Sequence, residues 1–485
     1  MSNSLKSKIH NYLLQGIPYE IVTIPEGEKV LVFNPKIKAW IQQDFNKELV
    51  QEILNALGDR LFKINLNSAG FPSAADKNLS NDSTNYDAVW VRDSIWIYYA
   101  LKEQNKLDQA KKLILKLYDY FLSPMQITRL QKVIKNPVLA NDCMQVPHIR
   151  FNGNSSEFED VLINGVPEYW NHKQLDAYGL FIIGVLDAIS NHLINENDLT
   201  KNHFLLIEQF ITFFLKIEFW KIEDSGAWEE LERKNTSSIA LVTRSLQLIN
   251  KTSFLNYDKK TVSMMIKKGL DTVKKQLALG GESPDYPRSD PRYRLADFAM
   301  ISLLLPSPLE GLSESEMRRV LDIIEDLKRT SGYIRYQGDS YQAGNYWIQD
   351  ENKPNKHLTD NASTLKEFLH RQNTSLKNTE AQWFFDSMLA IGRMKLFNLS
   401  NNYKDLLAYK IHIKRALGQI TGSMQNSKLM SASGEMVEDF VTPESINTII
   451  INNQSYYLPS PITPLNWAKA TLFIALNDFL KITSK

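Results

Sequence analysis

The sequence predicts an all-α chain in which an inner ring of six helices is wrapped by an outer ring of six. Three observations lead there: helical segments of two kinds occur, they alternate strictly, and each kind occurs six times. Segments 95–101, 175–189, 237–248, 295–305, 381–391 and 464–480 are apolar nearly all round. Segments 47–57, 107–122, 200–217, 257–279, 314–328 and 402–419 combine an apolar stripe with a charged face. A helix apolar on every side must be covered on every side, whereas a striped one shows its polar face to water. Burying the first set beneath the second satisfies both.

The remaining chain divides simply. Residues 1–42 read as an N-terminal extension, with a short helix at 4–14 and a β-hairpin turning at Glu26-Gly27. Residues 43–485 then make the barrel domain. Two stretches, about 124–170 and about 333–378, read as long loops, and loops of that length inside a compact domain usually carry function.

Composition bounds the function. The chain has 485 residues, 43% of them hydrophobic, enough for a large core. With 56 basic against 55 acidic residues there is no field to attract nucleic acid or an anionic membrane. Cys143 is the only cysteine, so an internal disulfide and a cysteine-based zinc site are ruled out. The start, MSNSLKSKIHNYLLQG, lacks the apolar run and cleavage site of a secretory signal. The longest apolar run, 177–186, is too short to span a bilayer. A cytoplasmic monomer with no nucleic-acid or membrane partner is the expectation.

The residues just before the inner segments carry the chemistry. Tyr86, Trp90, Arg92 and Asp93 precede the first, and Trp170, His172, Gln174 and Asp176 lead into the second. Trp228, Glu229 and Glu230 come before the third, with Asn235 and Thr236 following. Asp297 opens the fourth, Glu380 and Trp383 open the fifth, and Glu444 precedes the sixth at Thr463-Pro464. Singly, Asp93, Asn235, Thr236 and Thr463 suit helix N-caps, and each tryptophan suits the core. Together they place carboxylates and amides between aromatic faces at one end of the barrel, which is what a sugar pocket requires. Glycoside hydrolysis needs two separated carboxyls, one protonated for the leaving oxygen and one ionised to activate water. Burial beside Trp228 and near ionised Glu230 would raise Glu229 toward the acid role, and Glu444 on a more open loop would stay ionised.

At these positions the chain resembles glycoside hydrolase family 15, the glucoamylases and glucodextranases. It also resembles the glucoamylase-like domain of the phosphorylase kinase alpha and beta subunits. YDAVWVRDS is similar to the family's Tyr-x-x-x-Trp-x-Arg-Asp-Ser motif, which implies that Tyr86, Arg92 and Asp93 hold a glucose at the cleavage point. GAWEE looks like its Trp-Glu-Glu segment and implies Glu229 as general acid beside a sugar-binding Glu230. VTPESI looks like its Pro-Glu-Gln segment and implies Glu444 as general base, although Ser445 stands where the family has glutamine. YIRYQGDSY suggests Arg335 as a further glucose ligand. WNHKQLDAYGL, with His172 in place of arginine, and Glu380-Ala381-Gln382-Trp383 are closer to the kinase-subunit form.

The resemblance implies an (α/α)₆ barrel and an inverting, exo-acting α-glucosidase, with an α-glucan or oligosaccharide substrate and neither metal nor organic cofactor. The sugar ligands expected with Glu229 and Glu444 are Tyr86, Trp90, Arg92, Asp93, Trp170, Gln174, Asp176, Trp228, Glu230, Arg335, Glu380 and Trp383. A non-catalytic glucan-binding or regulatory relative is the alternative. An α/α-barrel lyase or epimerase would need catalytic tyrosine or histidine, and the eight histidines form no cluster.

Overall fold

Charged segments that carry an apolar stripe fold outside, and the all-apolar ones fold inside. The computed structural model describes residues 2–75, 86–155, 157–348, 358–359, 361–425 and 428–482. The chain begins with α1 (Ser2–Leu14), the antiparallel hairpin β1 (Glu20–Thr23) and β2 (Lys29–Val32), and α2 (Pro35–Ile41). Outer and inner helices then alternate: α3 (Lys47–Phe62) outside, α4 (Val91–Glu103) inside and α5 (Leu107–Leu122) outside. After α6 (Pro124–Lys135) come α7 (Leu175–Ser190) inside, α8 (Lys201–Lys216) outside, α9 (Thr236–Ile249) inside and α10 (Lys259–Leu279) outside. A 3₁₀ helix (Phe298–Leu303) takes the fourth inner place, and α11 (Glu314–Glu325) lies outside it. After α12 (Leu365–Thr374), α13 (Asp386–Ser400) and α15 (Asn466–Ile482) complete the inner ring, with α14 (Tyr403–Gly418) outside. Each inner element touches the next, and α15 closes on α4.

Two expectations need correction. The fourth inner segment forms no α-helix: Asp297 caps a six-residue 3₁₀ helix, and Pro306 and Pro308 follow before it can be extended. Proline disfavours the helical conformation in the residue before it and supplies no N–H. The supposed loops also contain structure, since 124–170 holds α6 and 333–378 holds α12. Part of the second, 349–357 and 360, lies outside the described residues.

Short strands stitch the helix ends together. β3 (Val89–Trp90) pairs with β4 (Arg150–Phe151), which sets Trp90 opposite Arg150. β5 (Leu162–Ile163) and β6 (Val166–Pro167) turn over Asn164-Gly165. β7 (Gln382–Trp383) joins β8 (Ser445–Ile451), which pairs in turn with β9 (Gln454–Pro459). The β8–β9 hairpin is absent from the sequence reading. Its signal is Asn452-Asn453, both at positive φ, between β-branched and aromatic runs, as a tight hairpin turn requires.

Most outer helices carry their own side-chain caps, α5 excepted, and four inner α-helices do not. The outer helices α3, α10, α11 and α14 are capped by the side chains of Asn46, Asp258, Ser313 and Asn402. The inner helices α4, α7, α9 and α13 have no side-chain cap of their own. Carboxylates from neighbouring loops serve instead: Leu175 N–H donates to Asp224 Oδ2 (3.0 Å), and Ser237 N–H to Glu282 Oε2 (3.1 Å). The loops are thereby fastened to the inner N-termini, where donors face outward.

Candidate active site

A cavity opens at those N-termini, about 730 Å³ including its solvent-filled mouth. Its wall contains Tyr86, Trp90, Arg92, Asp93, Trp170, Trp228, Glu229, Arg335, Trp383 and Glu444. These come from six separate stretches of chain. Four other expected residues stand outside the wall. Gln174 and Asp176 lie behind it holding Arg92, Glu230 lies behind it holding arginines, and Glu380 is elsewhere, accepting from Gly338 N–H (3.2 Å). These four expected ligands form no part of the wall.

Glu229 is placed by the loop before α9. Asp224 receives Leu175 N–H, Gly226 N–H (3.2 Å) and the Ser238 hydroxyl (2.8 Å) on Oδ2, and Asn235 Nδ2 (2.9 Å) on Oδ1. That clamp holds the 3₁₀ turn Gly226–Trp228, after which Glu229 adopts left-handed φ and ψ of 60° and 29°. A non-glycine residue in that conformation costs about 1–2 kcal/mol and persists only where its surroundings dictate it. Its Oε1 accepts from Trp90 Nε1–H at 2.9 Å and from Arg92 Nη1 at 3.4 Å. Burial pushes the carboxyl above its ordinary range, against the pull of Arg92 and Arg150. The indole at work is Trp90. Trp228 instead donates to Asp297 Oδ1 (2.8 Å), correcting the expected neighbour.

Glu230 turns the other way. Its carboxylate accepts from Arg335 Nη2 (2.7 Å), the Tyr336 hydroxyl (2.6 Å) and Arg371. Burial opposes ionisation there, but Arg335, Arg371, Arg294 and Arg233 outweigh it and hold Glu230 well below the usual carboxylate range. Two adjacent glutamates thus have opposite surroundings. Glu230 acts on the cavity through the two arginines it fixes, since Arg335 and Arg371 both line the wall.

Glu444 is not on an open loop as expected, being only 1% exposed. It sits at the head of β8, with its N–H on the Ile462 carbonyl (2.9 Å) and its carbonyl receiving Phe384 N–H (3.4 Å). Its carboxylate accepts from the Tyr86 hydroxyl and from Gln342 Nε2. Tyr86 lies 2.9 Å from the Tyr341 hydroxyl.

Aromatic and cationic side chains in and behind the wall flank these carboxyls, beside Ala74, Thr359, Asn361 and Leu465. Arg150 is buried against Trp90 and Trp170, 4.9 Å and 4.0 Å from their ring centroids, and bonds Glu168 (2.7 Å). Arg335 lies against Trp228, Tyr341 and Trp383. Asp93, in the first turn of α4, is raised to about 7 by burial, with Arg92 lowering it and Glu229 adding to the rise. The sequence reading missed Tyr341, Gln342, Arg371 and Trp467. Tyr341 closes the YIRYQGDSY segment and Trp467 lies just after Thr463-Pro464, so both could have been found, but Arg371 lies on a helix whose composition reads as surface.

The model of glycosyl hydrolases family 15 matches residues 51–389. Solved structures with the same fold include a wild-type glycosidase (TM-score 0.55, 13% identity, 90% of this chain and 99% of that one). The glucoamylase of Saccharomycopsis fibuligera is similar too (TM-score 0.52, 12% identity, 90% and 96%). Among curated proteins, the "Uncharacterized lipoprotein YgeQ" of Escherichia coli (strain K12) is 35% identical over 207 residues, 41% of this chain and 78% of that protein. The "Putative protein YgeP" of the same strain is 38% identical over 56 residues, 12% of this chain and 57% of that protein. The lipoprotein overturns the cytoplasmic expectation, which rested on the absence of a recognisable leader. Among the described residues no helix is long and apolar enough to cross a membrane.

Proposed function

Because the chain belongs to glycosyl hydrolases family 15, we propose that this glycoside hydrolase is an exo-acting, inverting α-glucosidase that releases glucose from non-reducing ends of α-glucans or oligosaccharides. The observation carrying the proposal is one cavity whose wall holds Glu229 and Glu444 in unlike environments. Glu229 is the acid: burial favours its protonated form, and with Trp90 Nε1–H and Arg92 both donating to Oε1, Oε2 is the oxygen assigned to hand the proton to the leaving group. Glu444 is the base, since two donors on its carboxylate favour the ionised form that must take a proton from water. Arg92 and Asp93 grip the hydroxyls of the terminal glucose, and Trp90, Trp170, Trp228 and Trp383 cover its apolar faces. The lipoprotein relative supports an exported enzyme that meets its substrate outside the cytoplasm.

The test is incubation with maltose, isomaltose, trehalose and glycogen, following the anomer first released by NMR. Inversion at an α-linked glucose liberates the β-anomer, whereas the α-anomer would point to retention. No release from any of the four would overturn the exo-glucosidase reading in favour of a glucan-binding or regulatory relative. Glu444→Gln should lower turnover by on the order of 10²–10⁴, and azide, which needs no base, should restore part of the cleavage. A variant as active as the parent would remove Glu444 from the mechanism.

A further inference from the structure

Gln342 occupies a conformation it would not adopt unaided. It is fully buried, at a left-handed φ of 56°, with its N–H on the Leu358 carbonyl at 2.8 Å. Only glycine takes that region at no steric cost, so the surrounding contacts must hold Gln342 there. Those contacts fix its amide. The Ser445 hydroxyl (2.9 Å) and Asn447 Nδ2 (3.2 Å) both donate to Oε1. An amide flipped end for end would set its NH₂ against the NH₂ of Asn447. Nε2 must therefore face Glu444, and it donates to Oε2. Ser445, which stands where the resembling segment carries glutamine, is thus part of the bracket that orients an amide from another loop.

We propose that Gln342 is a positioning residue that keeps Glu444 ionised and fixes which way its carboxylate faces the cavity. A donor to a carboxylate stabilises the charged form more than the neutral one. With Tyr86 on Oε1 and Gln342 on Oε2, rotation of the carboxylate would break both bonds, so its plane is held in one orientation toward the cavity. Among the described residues that line the same cavity, the other titratable or charged groups are Tyr86 and Tyr341 beside Glu444, and Glu229, Asp93, Arg92, Arg335 and Arg371. None of these supplies a second amide donor. The catalytic consequence rests on Glu444 being the base.

Two substitutions separate positioning from packing. Gln342→Met keeps much of the volume and removes the donor, and Gln342→Glu keeps the shape and sets a second carboxyl against the first. Both should move the acid limb of the kcat/KM profile to higher pH, by roughly one unit for methionine and further for glutamate, where like charges oppose each other. Turnover at the optimum should fall about 10–100-fold, part of what a correctly placed base contributes, while KM for maltose stays within about threefold, as for an interaction used only in the transition state. Loss of turnover that is even across pH, with a lower melting temperature and an unmoved acid limb, would make Gln342 a packing residue and overturn the proposal. The side-chain ¹³C carboxyl signal of Glu444, assigned by its loss in Glu444→Gln, reads the same effect without turnover. It should titrate at lower pH in the parent than in either variant, and identical midpoints would also overturn the proposal. If Glu444→Gln retains full activity, the base reading fails, and the carboxyl titration still decides whether Gln342 governs Glu444.

Discussion

Replacing Glu229 with glutamine should lower kcat/KM on maltose by on the order of 10²–10⁴ while leaving the fold intact, the contribution usual for a positioned acid. The amide keeps the outline of the side chain and an oxygen for Trp90 Nε1–H and Arg92, the two donors that Oε1 now receives. What disappears is the transferable proton. An α-glucosyl fluoride, whose leaving group departs without protonation, should suffer far less than maltose. Burial holds Glu229 above its ordinary value of 4.5, so the parent should keep its acid form, and its activity, to higher pH than a solvated glutamate would allow. Residual activity of the variant should lack that basic limb. Equal losses on maltose and the fluoride, or no loss on either, would take the acid role away from Glu229. An unchanged melting curve and unchanged glucose binding are needed to read either result as chemistry.

How far these assignments were legible in the sequence depends on the range of the interaction that makes them. Helix patterning is local, so α5 buries Ala110, Leu113, Ile114, Leu117, Tyr118 and Phe121 on the face its spacing marks. Motif position was legible as well, because the residue before an inner helix must lie at the inner N-terminal end. Partner choice was not. Trp90 and Glu229 are far apart in sequence, and only ring closure brings the indole to that carboxyl in place of the adjacent Trp228. The same holds for Glu444, which the sequence set on an open loop because the β8–β9 hairpin that buries it went unseen. Gln342 had no legible signal, since its role depends on a left-handed backbone and on two donors more than a hundred residues away. Proline effects were local but underweighted at the fourth inner segment, where Pro306 and Pro308 outvote an apolar run.

Arg92→Met should destabilise the fold by about 3–5 kcal/mol, the usual cost of breaking a buried ion pair from one side. Arg92 is held by groups distant in sequence. In the fold its Nε donates to Asp176 Oδ2 at 2.8 Å, its Nη2 to Gln174, and its Nη1 to Glu229. Arg92 and Asp176 side chains are 5% and 2% exposed, so water cannot replace the lost guanidinium. Methionine fills much of the space and leaves Asp176, Asp93 and Glu229 close together without the guanidinium between them, Arg150 remaining as a cation that acts on Glu229. The deficit should depend on pH. Asp93 titrates near 3.8 when solvated and at about 7 in the fold, so proton uptake by the native state stabilises fully below 3.8 and is lost as pH rises through 7. Removing Arg92, which lowers Asp93, lifts that native value further. Urea unfolding at pH 5 and pH 7.5 should therefore show the larger deficit at pH 7.5, where the carboxyls must give up protons without their counter-charge. Arg92→Lys should recover only part of the loss, because an ammonium cannot reproduce the fork that reaches Asp176, Gln174 and Glu229 together. A deficit below about 1 kcal/mol, the size of a solvated surface pair, would mean that water reaches this site and that Arg92 cannot serve as the dry anchor of a terminal glucose.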